Sequence, residues 1–205
     1  HMCWALDDAG EEIVVIDNLS TRFQWAIPPN AKFYRGDIED NVLLAKIRAE
    51  NEIEAIIHFA GSIIVPESLT APLKYYRNNT ANSRGLIEFA VEAGIKYFVF
   101  SSTAAVYGTP KSDEAVDESV VTSPESPYGM SKLMTEHMLK DTSYAHDFRF
   151  TALRYFNVCG ADPNGRTGQS TQGATHLIKV ACEAALGKRE KIEVFGTDYP
   201  TPDGT

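Results

Sequence analysis

The chain has 205 residues, 43% of them hydrophobic and 23% charged, enough apolar content for a sizeable buried core. Its formal net charge of -9 argues against nucleic acid or an anionic membrane as partner, since both demand a basic surface. No run approaches the ~20 apolar residues of a membrane span and no signal peptide opens the chain, so a soluble, cytoplasmic protein is expected. Cys3, Cys159 and Cys182 are far apart without a CxxC, and read as reduced thiols rather than a disulfide frame or zinc site. The histidines show no HxxxH or HExxH spacing, so no metal is expected.

In chain order, apolar runs alternate with helical patterns, as in a parallel α/β sheet. Residues 1–9 read as a helix closed by Gly10, and 12–17 (EIVVID) as a buried strand. Residues 32–35 form a short strand, 42–51 an amphipathic helix, and 55–60 (AIIHFA) the next strand. A loop leads to a long helix over 73–93, then a strand over 96–101 (KYFVFS) and a helix over 128–141. Residues 148–154 return as a strand, followed by a loop rich in Asn, Gly, Asp and Pro. A helix over 175–186 and a short strand over 192–195 complete the pattern. The predicted class is α/β with a doubly wound parallel sheet.

Such a sheet requires a first strand and phosphate turn ahead of the opening helix. Neither is in this sequence, and Thr201 to Thr205 read as a loop leading nowhere. The expectation is a window of a longer polypeptide that does not fold alone, because a lost central strand leaves buried backbone groups unpaired. His1-Met2 has the character of an expression remnant, although the helical pattern continues from it without a break.

The most informative motif is Ser126-Pro127-Tyr128-Gly129-Met130-Ser131-Lys132, about 25 residues after a strand ending in Ser101-Ser102-Thr103. Residues i and i+4 share a helix face, so the Tyr128 phenol and the Lys132 ammonium can serve one site. A free phenol, with pKa about 10, is a poor base at neutral pH. A neighbouring cation favours the phenolate, and a hydroxyl of the Ser/Thr run can hold a substrate alcohol against it. That is equipment for removing a proton from an alcohol while another group takes the hydride. A chance YxxxK carries nothing alone; the Ser-Ser-Thr strand end and the helix start at Pro127 make this one specific.

Other strand ends point to the same edge, where ligands bind in open α/β folds. Asp17 is either a ribose-binding acid, which selects NAD over NADP, or a turn aspartate; Arg22 complicates the choice because an arginine accepts a 2′-phosphate. Gly36-Asp37-Ile38 reads equally as an adenine contact or a plain turn. Phe59-Ala60-Gly61 lets backbone approach a cofactor closely. His58 reads as a core histidine. Asn78 and Asn79 sit mid-helix, where asparagine is poorly suited, and one of them is a candidate to bond a loop or the cofactor. Arg154-Tyr155-Phe156-Asn157 ends the last long strand.

In order along the chain, VVIDNLS, FYRGDIED, IIHFAG, YYRNNTANS, FVFSSTAAVYG, SPYGMSK, LRYFNVCGAD and VFGTDYPTPDGT resemble segments of the extended short-chain dehydrogenase/reductase family. The likeness covers essentially the whole chain and is nearest to the family's nucleotide-sugar epimerases. It implies a Rossmann-type NAD-binding domain over 1–157, N-terminally incomplete, and the start of a smaller nucleotide-sugar domain over 158–205, C-terminally incomplete. It also implies a homodimer. By the resemblance Tyr128 is the catalytic base, Lys132 its partner and a nicotinamide-ribose ligand, and Thr103 the hydroxyl bridging substrate and tyrosine. Asp17 and Asn18 then contact the adenine ribose, Asp37 and Ile38 the adenine, and Phe59, Ala60, Gly61, Asn79 and Phe156 the rest of the NAD groove. Asn157, His176 and Phe195 would hold the UDP-sugar. The implied activity is NAD-dependent interconversion of UDP-glucose and UDP-galactose through a 4-keto sugar.

The chain departs from the family at several points. The Gly-rich turn is absent, Ile63 stands where several relatives carry lysine, and His176 stands where an Asn-Asn pair often meets the diphosphate. The arginines that clamp the diphosphate fall beyond Thr205. The family's 4,6-dehydratases use an Asp-Glu pair after the threonine; here those positions are Ala104 and Ala105, which cannot move protons. Another epimerase or reductase of a different nucleotide sugar remains an alternative. A non-catalytic NAD-binding regulator is a further one, though it has no use for both Tyr128 and Lys132.

Overall fold

Short runs rich in branched and aromatic residues set the strands. They are β1 Val14–Asp17, β2 Lys32–Arg35, β3 Ala55–His58, β4 Tyr97–Ser101 and β5 Arg149–Leu153. The structure, a computed structural model, describes residues 1–20, 23–110, 115–171, 173–194, 196–199 and 204. All strand pairs are parallel, with Val14 opposite Lys32, Ala55 opposite Tyr97 and Tyr97 opposite Arg149. They form two ladders, β1–β2 and β3–β4–β5, with no hydrogen-bonded pairing between β1 and β3. The expected parallel α/β arrangement is therefore present in two pieces.

Between strands run α1 Met2–Asp8, α2 Asn41–Glu50, α3 Val65–Thr70, α4 Pro72–Tyr75, α5 Asn82–Ala93, α6 Pro127–Ala145 and α7 Leu177–Ala185. Local chemistry starts the principal ones. Asp40 caps α2 by accepting from Val42 N and Leu43 N, each at 3.0 Å. Ser126 caps α6 by accepting from Gly129 N at 3.1 Å, and Pro127 takes the first helical position, where its missing N–H costs nothing.

Phe98 and Phe100 of β4 anchor one hydrophobic cluster with Leu44 of α2, Leu86, Ile87 and Ala90 of α5, and Leu139 of α6. Ile16 of β1 and Ile56 of β3 pack against the same cluster, so both ladders share a core. Each large apolar side chain buried there contributes about 2 kcal/mol. A second tie is electrostatic. Arg166, in the loop after β5, pairs with Asp162 at 2.8 Å and with Asp8 of α1 at 2.6 Å, while its guanidinium lies 4.5 Å over the Trp4 ring.

Four expectations change. Residues 14–16 are half-buried rather than buried, because among the described residues β1 has a hydrogen-bonded neighbour on only one edge. The long helix over 73–93 is α4 and α5 joined through a π-helical turn, Tyr76–Ala81, and the preceding loop contains α3. The helix over 128–141 runs on to Ala145. Residues 192–194 are not a strand: an extended segment becomes one only by pairing, and none is found for it among the described residues.

Candidate active site

Tyr128, Lys132 and Glu136 recur at every fourth position of α6 and therefore line one face. That face meets the carboxyl end of β4. Lys132, 2% exposed, donates from Nζ to the Ser101 carbonyl at 2.9 Å and lies 4.9 Å from the Phe100 ring centroid. Ser102 donates from Oγ to the Glu136 carboxylate. Thr103 is buried, and its Oγ1 accepts from Ala105 N at 3.1 Å, capping a short 3-10 turn, Ala104–Val106. The helix comes this close because Gly129 has no side chain: a Cβ there would stand 2.7 Å from the Ala105 carbonyl oxygen.

Burial pushes the Tyr128 phenol above its ordinary pKa, hydrogen bonding by the Thr103 hydroxyl pulls it down, and the nearby Tyr155 raises it again. Burial lowers the Lys132 ammonium to about 8. The Lys132 ammonium is directed to the Ser101 carbonyl and the Phe100 face. Tyr75 packs edge-on to Tyr128 at 6.3 Å, with its own phenol raised to about 12 by burial and by Glu67.

The remaining candidates fall around this clasp with differing fit. Asn79 is buried in the π-helical turn; its Nδ2 donates to Ser62 O at 2.9 Å and Ser131 Oγ at 3.0 Å, and its Oδ1 accepts from Ser62 N at 2.7 Å. It thus bonds the loop after β3 to α6. Gly61, in that loop, has φ +148°, and a Cβ there would meet Asn79 Oδ1 at 2.6 Å and Lys132 Nζ at 3.5 Å. Phe59, 46% exposed, and Ala60 complete this open strand end. At β1, Asp17 Oδ1 accepts from Leu19 N at 2.6 Å and Asn18 donates to Asp37 Oδ2 at 3.0 Å. Leu19 takes a left-handed φ of 58° to make this turn, a strained geometry that points to function. Ile38 is 7% exposed and belongs to the core, so only its backbone can meet a ligand.

A dinucleotide fits this donor set. The space at Gly61, which a Cβ would fill, leads to an ammonium with donors to spare, and two carboxylates with Asn18 stand at the adjoining strand ends. Phe156 is 76% exposed and Asn157 is exposed at the end of β5. His176, ahead of α7, accepts at Nδ1 from Gln169 Nε2 at 2.7 Å. Neither Asn157 nor His176 has a described bond to Tyr128, Lys132 or Thr103. Phe195 and Arg22 lie outside the described residues. His58 is a core histidine as expected: it is buried, 2.8 Å from Ser83 Oγ, and held neutral with its pKa lowered to about 3 by burial and then by Lys132. Among the described residues no His, Cys, Asp and Glu side chains cluster as metal ligands, and no helix is long and apolar enough to cross a membrane.

Glu136 escaped the sequence reading, and Ser102 and Arg154 were read only as parts of strand-end motifs, without their pairing to it. Arg154 Nη2 lies 2.6 Å from Glu136 Oε2, its Nε lies 3.1 and 3.0 Å from the two carboxylate oxygens, and its Nη1 donates to Tyr107 OH at 3.2 Å. The legible signal was Glu136 standing four residues after Lys132, one turn further along the Tyr128 face.

A parallel α/β fold with a Tyr-Lys-Thr group at the carboxyl edge of its strands is a Rossmann-type fold. The chain belongs to the NAD dependent epimerase/dehydratase family, whose profile matches residues 1–205. It is 56% identical over its whole length to a UDP-glucose 4-epimerase of Azospirillum brasilense, covering 59% of that protein. It is 47% identical to one of Streptococcus mutans, covering 62% of it. A crystal structure of a UDP-glucose 4-epimerase superposes with TM-score 0.95 at 44% identity, over 99% of this chain and 61% of that one. The Brucella ovis UDP-glucose 4-epimerase in complex with NAD gives 0.93 at 41% identity, over 99% of this chain and 62% of that one. The chain thus spans about three-fifths of the length of these relatives.

Proposed function

We propose that this chain carries the NAD site and the proton-transfer group of a UDP-glucose 4-epimerase, which interconverts UDP-glucose and UDP-galactose by transient oxidation at C4. The observation that supports it most is the clasp of Tyr128, Lys132 and Thr103 at a strand edge shaped for a dinucleotide. NAD, when bound, supplies hydride acceptance and return. Tyr128, as phenolate, takes the proton of the sugar 4-hydroxyl and gives it back. Thr103, with one lone pair committed to Ala105 N, turns its hydroxyl proton toward the phenolate and keeps its other lone pair for the substrate hydroxyl. Lys132 has donors beyond the Ser101 bond for the nicotinamide ribose, and its charge then favours the phenolate. Asp17 and Asn18 take the adenine ribose, Asp37 and the Ile38 backbone the adenine. Phe59, Ala60, Gly61, Asn79 and Phe156 line the groove between. Ala104 and Ala105 follow Thr103 with no acid or base, which argues against elimination chemistry.

In this reading residues 1–157 form the cofactor part, and 158–205 begin the sugar-nucleotide part with Asn157, His176 and Phe195. The complete protein is a cytoplasmic homodimer, consistent with its unpaired thiols and with exposed Leu69, Leu73 and Met134 on the adjoining helices α3, α4 and α6. The test is conversion of UDP-galactose to UDP-glucose by the complete polypeptide without added reductant. Tyr128→Phe should lower kcat about 1,000-fold with NAD still bound. Full activity in that variant would refute the assignment.

A further inference from the structure

The Tyr128 face of α6 extends one turn beyond the proposed catalytic pair, and the chemistry there is not used by the reaction. Glu136 is almost fully buried, with its side chain 8% exposed. It is neutralised by Arg154 just past β5, and it accepts from Ser102 Oγ. As a staple between α6 and β5, a buried ion pair is a poor choice, since apolar residues of similar size hold two elements at least as well. What apolar residues cannot do is accept a hydrogen bond from Ser102.

Two residues at the end of β4 are gripped by successive turns of α6: Lys132 Nζ holds the Ser101 carbonyl at 2.9 Å and Glu136 holds the Ser102 hydroxyl, while Tyr128 lies one turn before Lys132 on the same face. Thr103 is in extended backbone, φ -157° and ψ 148°, so the side chains of Ser102 and Thr103 project in opposite directions. Glu136 and Tyr128 are eight residues apart on the helix, about 12 Å along its axis. Fixing Ser102 at the far end of that span therefore aims Thr103 at the near end. Arg154 in turn fixes the carboxylate by contacts to both oxygens, and its guanidinium is held against Tyr107, 5.0 Å from the ring. Tyr155, the next residue, accepts from Ala104 N at 3.1 Å and closes the turn from the other side.

We infer that Ser102, Glu136 and Arg154 form a positioning relay: the ion pair orients Ser102, and Ser102 aims the Thr103 hydroxyl at the Tyr128 phenol. The inference rests on the function proposed above, because it concerns the hydroxyl that this function assigns to the substrate. The relay makes no contact with the reacting atoms and acts only through Thr103.

Ser102→Ala in the complete, NAD-loaded protein is the deciding variant, since it leaves the Glu136–Arg154 pair intact. Its kcat should fall about tenfold, as expected for a small misplacement of a catalytic hydroxyl, with KM and bound NAD within about twofold of wild type. Because the Thr103 hydrogen bond is what lowers the Tyr128 phenol, its titration should move to higher pH. That is read by tyrosine-labelled NMR, with Tyr128→Phe identifying the signal. In a Thr103→Val background, Ser102→Ala should cost nothing further. The relay is overturned if Ser102→Ala leaves kcat and the phenol titration unchanged, or if its loss adds in full to that of Thr103→Val. A wild type inactive on UDP-galactose would sink the proposed function instead, and the phenol titration would still decide the relay.

Discussion

Lys132→Met should stabilise the cofactor-free protein at neutral pH. Lys132 is 2% exposed, and burial lowers its ammonium from an ordinary lysine value of 10.5 to about 8. At about 1.36 kcal/mol per pH unit, holding the charge in the folded state at pH 7 costs roughly 3 kcal/mol. Methionine has similar length and no charge, but it removes the donor to the Ser101 carbonyl, a loss of about 1 kcal/mol. The net gain is roughly 2 kcal/mol, obtained by removing a group the proposed reaction uses. The sign can be followed through pH. Below 8 both folded and unfolded chains hold the proton, so the penalty on wild type is complete and constant. Between 8 and 10.5 the unfolded chain retains a proton that the folded chain has released, so raising pH stabilises wild type and the advantage of methionine shrinks. Urea titrations of NAD-free wild type and variant at several pH values measure this directly. A variant less stable at pH 7, or a difference that stays flat from pH 7.5 to 10.5, would show that Lys132 is not a strained buried charge.

Two further substitutions address the cofactor groove. Gly61→Ala places a Cβ 2.6 Å from Asn79 Oδ1 at a φ of +148°, so it should destabilise the fold by about 1–3 kcal/mol and weaken NAD binding at least tenfold. Denaturant midpoints and fluorescence titration of NAD read the two effects, and wild-type NAD affinity would remove Gly61 from the groove. Asp17→Asn preserves an acceptor for Leu19 N but withdraws the charge from the ribose position, so NAD should bind about tenfold more weakly while NADP gains. Calorimetry with both dinucleotides checks it, and an unchanged preference would return Asp17 to the role of a turn residue.

The helix start at Pro127, the four-residue spacing of Tyr128 and Lys132, the apolar strands and the acid at the end of β1 were all legible in the chain. Each depends on interactions within a few residues, and these are encoded where they act. His58 was also read correctly, because a histidine inside an apolar strand has few places to go but the core. Pairings across the fold were not legible. The turn at Tyr76–Ala81 buries Asn79 between Ser62 and Ser131, far from it in sequence. Residues 192–194 have strand-forming side chains, yet extended backbone needs a partner that local pattern cannot supply. That packing draws the Ile38 side chain into the core, leaving only its backbone for a ligand, was not legible either. Sequence alone placed a phenol and an ammonium on one helix face. Tertiary packing sent the ammonium to the Ser101 carbonyl and joined Glu136 to Arg154 behind the Ser102 hydroxyl. A helix determines which side chains share a face, whereas what that face meets depends on elements brought to it from elsewhere in the chain.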